Sequence, residues 1–199
     1  MPVTYVPMTQ KTPTSRKRKP LTEEHEIKVL DIELRSLKRI LRQLGAKRIF
    51  KGMVTTLYYE DPSRPFYKRG ETCRIRQVGD EVELTYKRRM PGSGVKSRQE
   101  LSFEAESIEE AEVFLKRMGL QPTFYHEKER ESYSLNNCRI DYDVYPGVPP
   151  FLEIEGASAR KIFTMIKQLG LQEHRTSTLG VISFLRRYFP KVDREHMEF

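Results

Sequence analysis

The segment EHEIKV at residues 24–29 places a charged side chain at every second position, and this alternation decides the fold. Successive side chains of a β-strand point to opposite faces of a sheet, so Glu24, Glu26 and Lys28 share one face. The residues between them share the other face, which is largely apolar. A strand with one charged face and one apolar face is typical of an antiparallel sheet that packs one side on a core.

The same alternation recurs along the chain and predicts about eight strands. The later segments are MVTTLYYE from Met53, TCRIRQV from Thr72, EVELTYKRR from Glu81, RQELSFEAE from Arg98, FYHEKERESYS from Phe124, CRIDYDVY from Cys138 and FLEIEG from Phe151. Turn residues separate several of them at positions 79–80, 91–94 and 136–137, where Gly-Asp, Pro-Gly-Ser-Gly and Asn-Asn favour antiparallel hairpins.

Amphipathic helices separate groups of these strands, which indicates an antiparallel α+β protein. The second helix is predicted to begin with a capping box at Ser107 and Glu110. Glycine is the expected residue just past a helix end, so the first three helices should stop at Gly45, Gly119 and Gly170, and a fourth should cover 178–189. Their apolar stripes, predicted as packing faces, are Leu34, Leu37, Ile40, Leu41 and Leu44; Phe114, Leu115 and Met118; Ile162, Phe163, Ile166 and Leu169; Val181, Phe184, Leu185 and Tyr188.

The charged faces of the strands gather acids and bases together. The acids are Glu24, Glu26, Glu100, Asp141, Asp143, Glu153 and Glu155, and the bases are Lys28, Arg74, Arg76, Lys87, Arg98, Lys128 and Arg130. Two arrangements fit this pattern. The charged faces form the solvent side of an open sheet, or the sheet closes into a barrel with these faces inward, since about eight strands suffice for closure. Inside a barrel, acids and bases offset part of one another's desolvation cost.

A lumen lined by both signs suits a phosphorylated substrate and a metal ion. Carboxylates two residues apart on a strand, as in Glu24 with Glu26 and Glu153 with Glu155, bring two oxygen ligands toward one hard cation such as Mg²⁺ or Mn²⁺. Guanidinium groups match phosphate oxygens in geometry, and lysine adds a point charge. Such a lumen can hold a triphosphate and stabilise the charge that develops in phosphoryl or nucleotidyl transfer.

The order of these motifs resembles that of the CYTH superfamily, also called triphosphate tunnel metalloenzymes. The matching motifs are ExExK at 24–28, GxxLRxR at 70–76, LTxK at 84–87, RxE at 98–100, KxRxxY at 128–133 and D…FxExE at 141–155. The resemblance runs from about residue 23 to 190. Cys73 replaces the usual leucine, and Thr56 and Glu60 stand in a segment where aspartate is common.

The resemblance implies an eight-stranded antiparallel β-barrel, closed as a tunnel, with helices packed on its outside. It implies that Mg²⁺ or Mn²⁺ binds Glu24, Glu26, Asp141, Glu153 and Glu155, with Asp143 and Glu100 as weaker candidates. It implies a phosphate-binding set of Lys28, Arg74, Arg76, Lys87, Arg98, Lys128 and Arg130, of which Lys28, Arg74, Arg76 and Lys87 are also catalytic. Cys73, whose side chain should point away from its arginine neighbours, is expected to be a buried structural thiol.

The superfamily includes class IV adenylate cyclases, thiamine triphosphatases, and inorganic or RNA triphosphatases. Class IV adenylate cyclase activity, which converts ATP to cyclic AMP and pyrophosphate, is the favoured function. The first alternative is a triphosphatase that hydrolyses thiamine triphosphate, a nucleoside triphosphate or tripolyphosphate. The second is a non-enzymatic barrel that binds polyphosphate or RNA, and the acids argue against it because they repel phosphate unless a cation intervenes.

Composition adds the remaining expectations. The 199-residue chain carries a net charge of +8 with a pI near 9.4, which favours polyanionic partners. Residues 1–20 are predicted to be a disordered basic tail, 21–190 the CYTH domain and 191–199 a C-terminal tail. Nucleic acid fits the basic tail as a partner, and a homodimer is compatible with the sequence. The two cysteines show no disulfide or zinc spacing, and no segment suits a membrane span, so a cytoplasmic protein without membrane partners is expected.

Overall fold

A computed structural model describes residues 22–91 and 94–199, and its main feature is a closed antiparallel β-barrel. The barrel strands are β1 Thr22–Val29, β2 Lys47–Glu60, β3 Glu71–Val78, β4 Glu81–Arg89, β5 Lys96–Ala105, β6 Gln121–Leu135, β7 Cys138–Tyr145 and β8 Val148–Gly156. They are ordered β6-β2-β3-β4-β5-β1-β8-β7, and pairing of β7 with β6 closes the ring. Closure excludes the open-sheet arrangement, since every barrel strand has two neighbours.

Four helices pack outside the barrel: α1 Leu34–Gln43, α2 Ile108–Arg117, α3 Ala159–Gln168 and α4 Val181–Tyr188. The capping residue Ser107 accepts a hydrogen bond from the Glu110 backbone N–H at 3.1 Å, as its capping-box spacing predicts. Gly119 follows α2 with a φ of 84°, a left-handed conformation that favours glycine. A short 3₁₀ turn, Phe66–Arg69, lies between β2 and β3.

The apolar faces of the strands form three outer cores. Ile27, Ile140 and Ile154 are almost fully buried and share one core with residues of α1 and α3. A second core joins α4 to the β7–β8 hairpin, where the rings of Phe151 and Phe184 lie 4.9 Å apart. A third lies beneath α2. The helices therefore bury the outer surface of the barrel and leave the charged faces to point inward.

The predicted packing face of α2 is wrong in two of its three members. Phe114 and Met118 are 56% and 66% exposed, whereas Ala111 and Leu115 are buried. The helix touches the convex barrel along a narrow strip, so only one row of side chains reaches the strands. Phe163 on α3 is likewise 46% exposed.

The two longest strands exceed their predicted lengths. Strands β2 and β6 have 14 and 15 residues and pair with each other along most of this length. The turn after β6 follows the prediction: Asn136 and Asn137 have φ angles of 50° and 59°, which a tight type I′ hairpin requires.

Two short strands complete the sheet. Strand β9, Thr176–Ser177, pairs with β1, and β10, His196–Met197, pairs with β6 in parallel. Met197 is buried, so part of the predicted C-terminal tail packs on the barrel. The predicted basic tail at 1–20 lies outside the described residues. Among the described helices, none has the length and apolar character to cross a membrane.

Candidate functional site

The barrel encloses a cavity of about 810 Å³ that is lined by side chains from all eight strands. All of the predicted metal and phosphate ligands line it, because they occupy alternate positions that face inward. The weaker candidate Glu100 also lines it, whereas Asp143 has no exposed surface. A lumen of this volume is within the roughly 300–1,000 Å³ range typical of small-molecule sites.

The acids concentrate on three adjacent strands, β1, β8 and β7. Glu26 on β1 is the cross-strand neighbour of Glu155 on β8, and Asp141 on β7 is the neighbour of Glu153 on β8. Glu24 lies two residues before Glu26 on the same inward face. The strand register thus brings all five predicted metal ligands to one wall of the lumen.

One arginine on this side of the lumen is fully engaged by acids. Arg130 lies 2.5 Å from Asp141, 2.6 Å from Asp143 and 2.6 Å from Glu153. Lys128 also contacts Asp143, at 2.8 Å. Although burial lowers the pKa of the Arg130 guanidinium, its three carboxylate neighbours raise that pKa well above its ordinary value.

Two lysines bridge pairs of acids. Lys28 lies 2.7 Å from Glu153 and 3.5 Å from Glu26, and it is almost fully buried. Lys87 lies 2.7 Å from Glu24 and 2.8 Å from Glu100. Burial alone would raise the pKa of Glu100, but the charge and hydrogen bond of Lys87 lower it to about 2. Glu100 is therefore held ionised by its lysine neighbour.

Strands β3 and β5, which lie on either side of β4, form a wall that carries arginines with unused donors. Within the described part of the chain, the buried Nε atoms of Arg74, Arg76 and Arg98 have no hydrogen-bond partner. Arg98 donates through Nη1 to Thr72 at 2.8 Å, and Arg76 through Nη2 to Glu83 at 3.1 Å. The charge of Arg74, together with burial, lowers the pKa of Arg76 to about 10.

Buried guanidinium donors without partners are costly unless an anion satisfies them. Here several of them face a single cavity, and their arginines repel one another. These donors could be satisfied by an anion with several oxygens, and planar guanidinium groups match phosphate geometry.

Comparison with known proteins agrees with this architecture. The model of the CYTH domain family matches residues 22–189. The chain belongs to the CYTH family. A protein from Methanocaldococcus jannaschii named “Putative adenylate cyclase” is 29% identical to it over 132 residues, which cover 66% of this chain and 75% of that protein.

Solved CYTH-like structures share the fold. A conserved hypothetical protein from Pyrococcus furiosus superposes with a TM-score of 0.67 at 26% identity, covering 79% of this chain and 97% of its own. A “Putative adenylyl cyclase” from Hippeastrum, described as having a dominant triphosphatase activity, superposes with a TM-score of 0.60 at 14% identity, covering 86% and 97%. The second likeness concerns the fold alone.

The acidic wall of this CYTH barrel fits a divalent cation by its donor chemistry. Glu155 is the one predicted metal ligand without a Lys or Arg ion-pair partner among the described residues. Burial and the charges of Glu24 and Glu26 raise the pKa of Glu155 to about 7, although Arg139 and Lys87 oppose this. Crowded carboxylate oxygens of this kind are the ligands that Mg²⁺ and Mn²⁺ prefer.

The same wall is not a ready-made metal site in the arrangement seen here. Across residues 22–91 and 94–199, no three acidic, His or Cys side chains converge as a metal-binding group. The reason is that lysines and arginines hold the other four predicted ligands in ion pairs. Metal binding at these carboxylates therefore requires some of these cations to turn to another partner.

Sequence reasoning missed Lys96, which lines the lumen two residues before Arg98. Its ammonium group forms an ion pair with Glu26. Burial lowers the pKa of Lys96 to about 8, with Glu26 acting in the opposite direction. The signal was available, because extending the alternation of β5 by one step toward its N-terminus places Lys96 on the inward face.

Two departures from the family pattern have structural explanations. Cys73 is buried with Tyr59 and Ile75 on the outer side of β3, which confirms the expectation of a buried thiol. Glu60 accepts hydrogen bonds from the backbone N–H groups of Phe66 at 2.5 Å and Tyr67 at 3.3 Å. Its longer side chain therefore caps the 3₁₀ turn between β2 and β3.

Proposed function

We propose that the lumen binds a triphosphate together with Mg²⁺ or Mn²⁺, and that this CYTH protein is a metal-dependent enzyme whose leading activity is that of an adenylate cyclase. The observation that carries the proposal is the set of buried, unpartnered Nε donors on Arg74, Arg76 and Arg98, given for the described residues. A chain of phosphate oxygens supplies the several acceptors that these donors lack.

Binding involves an exchange of partners inside the lumen. Lys28 and Lys87 are each held by two acids. If phosphate oxygens accepted from these lysines, Glu24 would be freed, and Glu26 and Glu153 would each lose one of their two cationic partners. These carboxylates, with Asp141 and Glu155, would then be able to hold a cation. The cation supplies neutralisation of phosphate charge and polarisation of a phosphoryl oxygen.

The arginines of β3 and β5 would act in the transition state. Negative charge develops on the phosphoryl oxygens and on the leaving group, and fixed guanidinium donors stabilise it without reorganisation. Arg74, Arg76 and Arg98 are placed for this role, and Lys28 and Lys87 position the phosphates. In a cyclase the ribose 3′ oxygen bonds to the α-phosphorus, and the bond from that phosphorus to pyrophosphate breaks.

The cyclase is placed first because the Methanocaldococcus relative carries that name and because the cavity, at about 810 Å³, has room for an organic group beside three phosphates. Triphosphatase activity, in which water attacks the terminal phosphorus, is the second candidate. A protein that shares this fold, from Hippeastrum, is described as having a dominant triphosphatase activity. The same lysines and arginines serve either reaction, since the charge that develops is similar.

The test is turnover of ATP, thiamine triphosphate and tripolyphosphate with Mg²⁺ or Mn²⁺, with products separated by chromatography. The variant Glu24→Gln removes a lumen carboxylate, and Glu104→Gln is its control because Glu104 is exposed on β5 and does not line the cavity. Cyclic AMP with pyrophosphate establishes the cyclase, and orthophosphate with the diphosphate product, or with pyrophosphate from tripolyphosphate, establishes the triphosphatase. If no substrate turns over, a polyphosphate- or RNA-binding barrel replaces the enzyme. If Glu24→Gln is as active as wild type, the activity does not depend on this lumen carboxylate, and the proposed metal-dependent mechanism is refuted.

A further inference from the structure

Tyr67 lines the lumen but has no part in the proposed binding of phosphate or metal. Its side chain lines the cavity, yet the residue is 65% exposed. In the part of the chain that the structure describes, its ring stacks on no other aromatic ring. An aromatic surface left uncovered at the mouth of a charged tunnel is available to a ligand.

The backbone of the turn that carries Tyr67 is held by its surroundings. The Glu60 carboxylate accepts from two backbone N–H groups of the turn, those of Phe66 and Tyr67. The neighbouring Phe66 ring packs edge-on against Tyr86, with centroids 6.2 Å apart, and the Arg69 guanidinium lies 5.0 Å from the Phe66 centroid. The turn is therefore anchored on both sides, and it presents the tyrosine ring without the entropy cost of ordering a mobile loop.

The first turn of α4 lies at the same mouth of the barrel. A Cβ added to Gly180, the residue that precedes α4, would lie 3.5 Å from Nη2 of Arg98. Through Nη1, Arg98 donates to Thr72, which follows the 3₁₀ turn on β3. Arg98 thus connects the two elements, and Val181 and Ile182 of α4 line the cavity beside it.

We infer that Tyr67, with Val181 and Ile182, forms a subsite for the flat aromatic group of an organic triphosphate, such as the base of a nucleotide. The inference rests on the proposed function, because Arg98 would hold the phosphate end of the same molecule. Bases stack on aromatic side chains irrespective of their identity, and aliphatic side chains cover the remaining apolar surface. The subsite therefore distinguishes organic from inorganic triphosphates.

The absence of tryptophan from the chain allows a direct test of stacking. In Tyr67→Trp the new indole is the only one in the protein and serves as a local fluorescent reporter. Methylene-bridged analogues of ATP and of tripolyphosphate, which keep the phosphate charges but resist cleavage, are added with Mg²⁺. The inference expects the ATP analogue to quench the indole and the tripolyphosphate analogue to leave its intensity nearly unchanged.

A second measurement uses affinities and does not depend on the reporter. Calorimetric titration gives the Kd of both analogues for wild type, Tyr67→Ala and Tyr67→Phe. The matched control is Phe114→Ala, which removes an equally exposed aromatic ring from α2, outside the cavity. Tyr67→Ala should raise the Kd of the ATP analogue about tenfold and that of the tripolyphosphate analogue less than about twofold. Tyr67→Phe should restore most of the lost affinity.

The outcomes separate this inference from the function on which it rests. If both analogues bind wild type but Tyr67→Ala weakens both equally, or neither, the base subsite is refuted while triphosphate binding stands. If Phe114→Ala weakens the ATP analogue as much as Tyr67→Ala does, the effect is not local and the subsite is again refuted. If neither analogue binds wild type with Mg²⁺ or Mn²⁺, the proposed function fails together with the inference.

Discussion

The two walls of the lumen use arginine in opposite ways. On the wall formed by β6, β7 and β8, Arg130 contacts three carboxylates at 2.5–2.6 Å and is buried. On the wall formed by β3 and β5, the described structure leaves Nε of Arg74, Arg76 and Arg98 without partners. We call these the saturated wall and the unsaturated wall.

From this difference we expect that the role of a motif arginine depends on its acid neighbours as well as on its spacing. An arginine whose donors are all satisfied contributes to the stability of the folded chain, and its loss strands buried negative charge. An arginine with unused donors adds a binding site at some cost in stability, because like charges are held together in a cavity. The contrast leads to four predictions.

The largest effect is expected from Arg130→Met on the saturated wall. Three carboxylates would lose their shared cation, so the free energy of unfolding should fall by about 3–5 kcal/mol. Urea denaturation followed by circular dichroism measures this loss. Arg139→Met is the matched control, since the Arg139 side chain is 40% exposed and its pair with Asp141 should contribute less than about 1 kcal/mol. Equal losses of unfolding free energy in the two variants would show that the buried ion pairs of Arg130 contribute no more to stability than an exposed pair.

Alkylation of Cys73 tests how far the charge of the unsaturated wall extends. Burial and the charge of Glu60 raise the pKa of Cys73 from 9.0 to about 11, although Arg74 is the next residue. At pH 8, below both values, the thiolate fraction should be about 100-fold lower than that of an exposed cysteine. Iodoacetamide labelling followed by peptide mass spectrometry should show a correspondingly slow rate, with urea-unfolded protein as the reference. A rate near that of the unfolded chain would show that the arginine field reaches the outer face of β3.

A smaller change is expected from Arg76→Met on the unsaturated wall. The affinity for tripolyphosphate with Mg²⁺ should fall about 10- to 100-fold, since one charge-assisted hydrogen-bond donor is lost. The free energy of unfolding should stay the same or rise slightly, because the repulsion between Arg74 and Arg76 disappears. Calorimetry and urea denaturation measure the two quantities. A stability loss as large as that of Arg130→Met would mean that the two walls do not differ in kind.

The smallest effect concerns the coupling between metal and phosphate. The acids and the lysines neutralise one another in ion pairs. Binding of Mg²⁺ to the acids therefore frees lysines for phosphate, and binding of phosphate to the lysines frees acids for Mg²⁺. Mg²⁺ should therefore raise the affinity for tripolyphosphate by about tenfold, and tripolyphosphate should raise the affinity for Mg²⁺ by the same factor. Titrations of each ligand with and without the other, after EDTA treatment and dialysis, check the reciprocity. Independent binding would show that the saturated wall does not exchange its partners.

Local sequence pattern was sufficient to predict which side chains share the charged face of each strand, whereas closure of the sheet around a lumen was predicted from the family resemblance. Side chains two residues apart on a strand lie on the same face of the sheet, so the orientation of Glu24 determines the orientation of Glu26 and Lys28. The tight turn at Asn136 and the helix stop at Gly119 were predictable for the same reason, since few residues adopt their backbone conformations.

The energetic state of these side chains was beyond sequence reasoning. The K-x-R motif gave Lys128 and Arg130 equal standing as phosphate ligands, yet Arg130 is surrounded by acids because β7 and β8 lie beside β6 in the closed barrel. Such contacts depend on strand order, which a local pattern does not specify. The exposure of Phe114 has a similar cause, since the curvature of the barrel decides how much of α2 is covered.

The pairing of β1 also has a consequence for how the chain is made. The first strand, Thr22–Val29, lies between β5 and β8 and so bonds to Lys96–Ala105 and Val148–Gly156, which are synthesised much later. A nascent chain that has left the ribosome as far as β4 already holds consecutive hairpin partners, but its first strand has both edges open. Contacts of such long sequence separation form slowly, and open edges invite pairing with other chains. Charged side chains on an open strand disfavour such pairing. The alternating charges of β1 therefore line the lumen in the folded protein and also oppose aggregation before β5 and β8 have been synthesised.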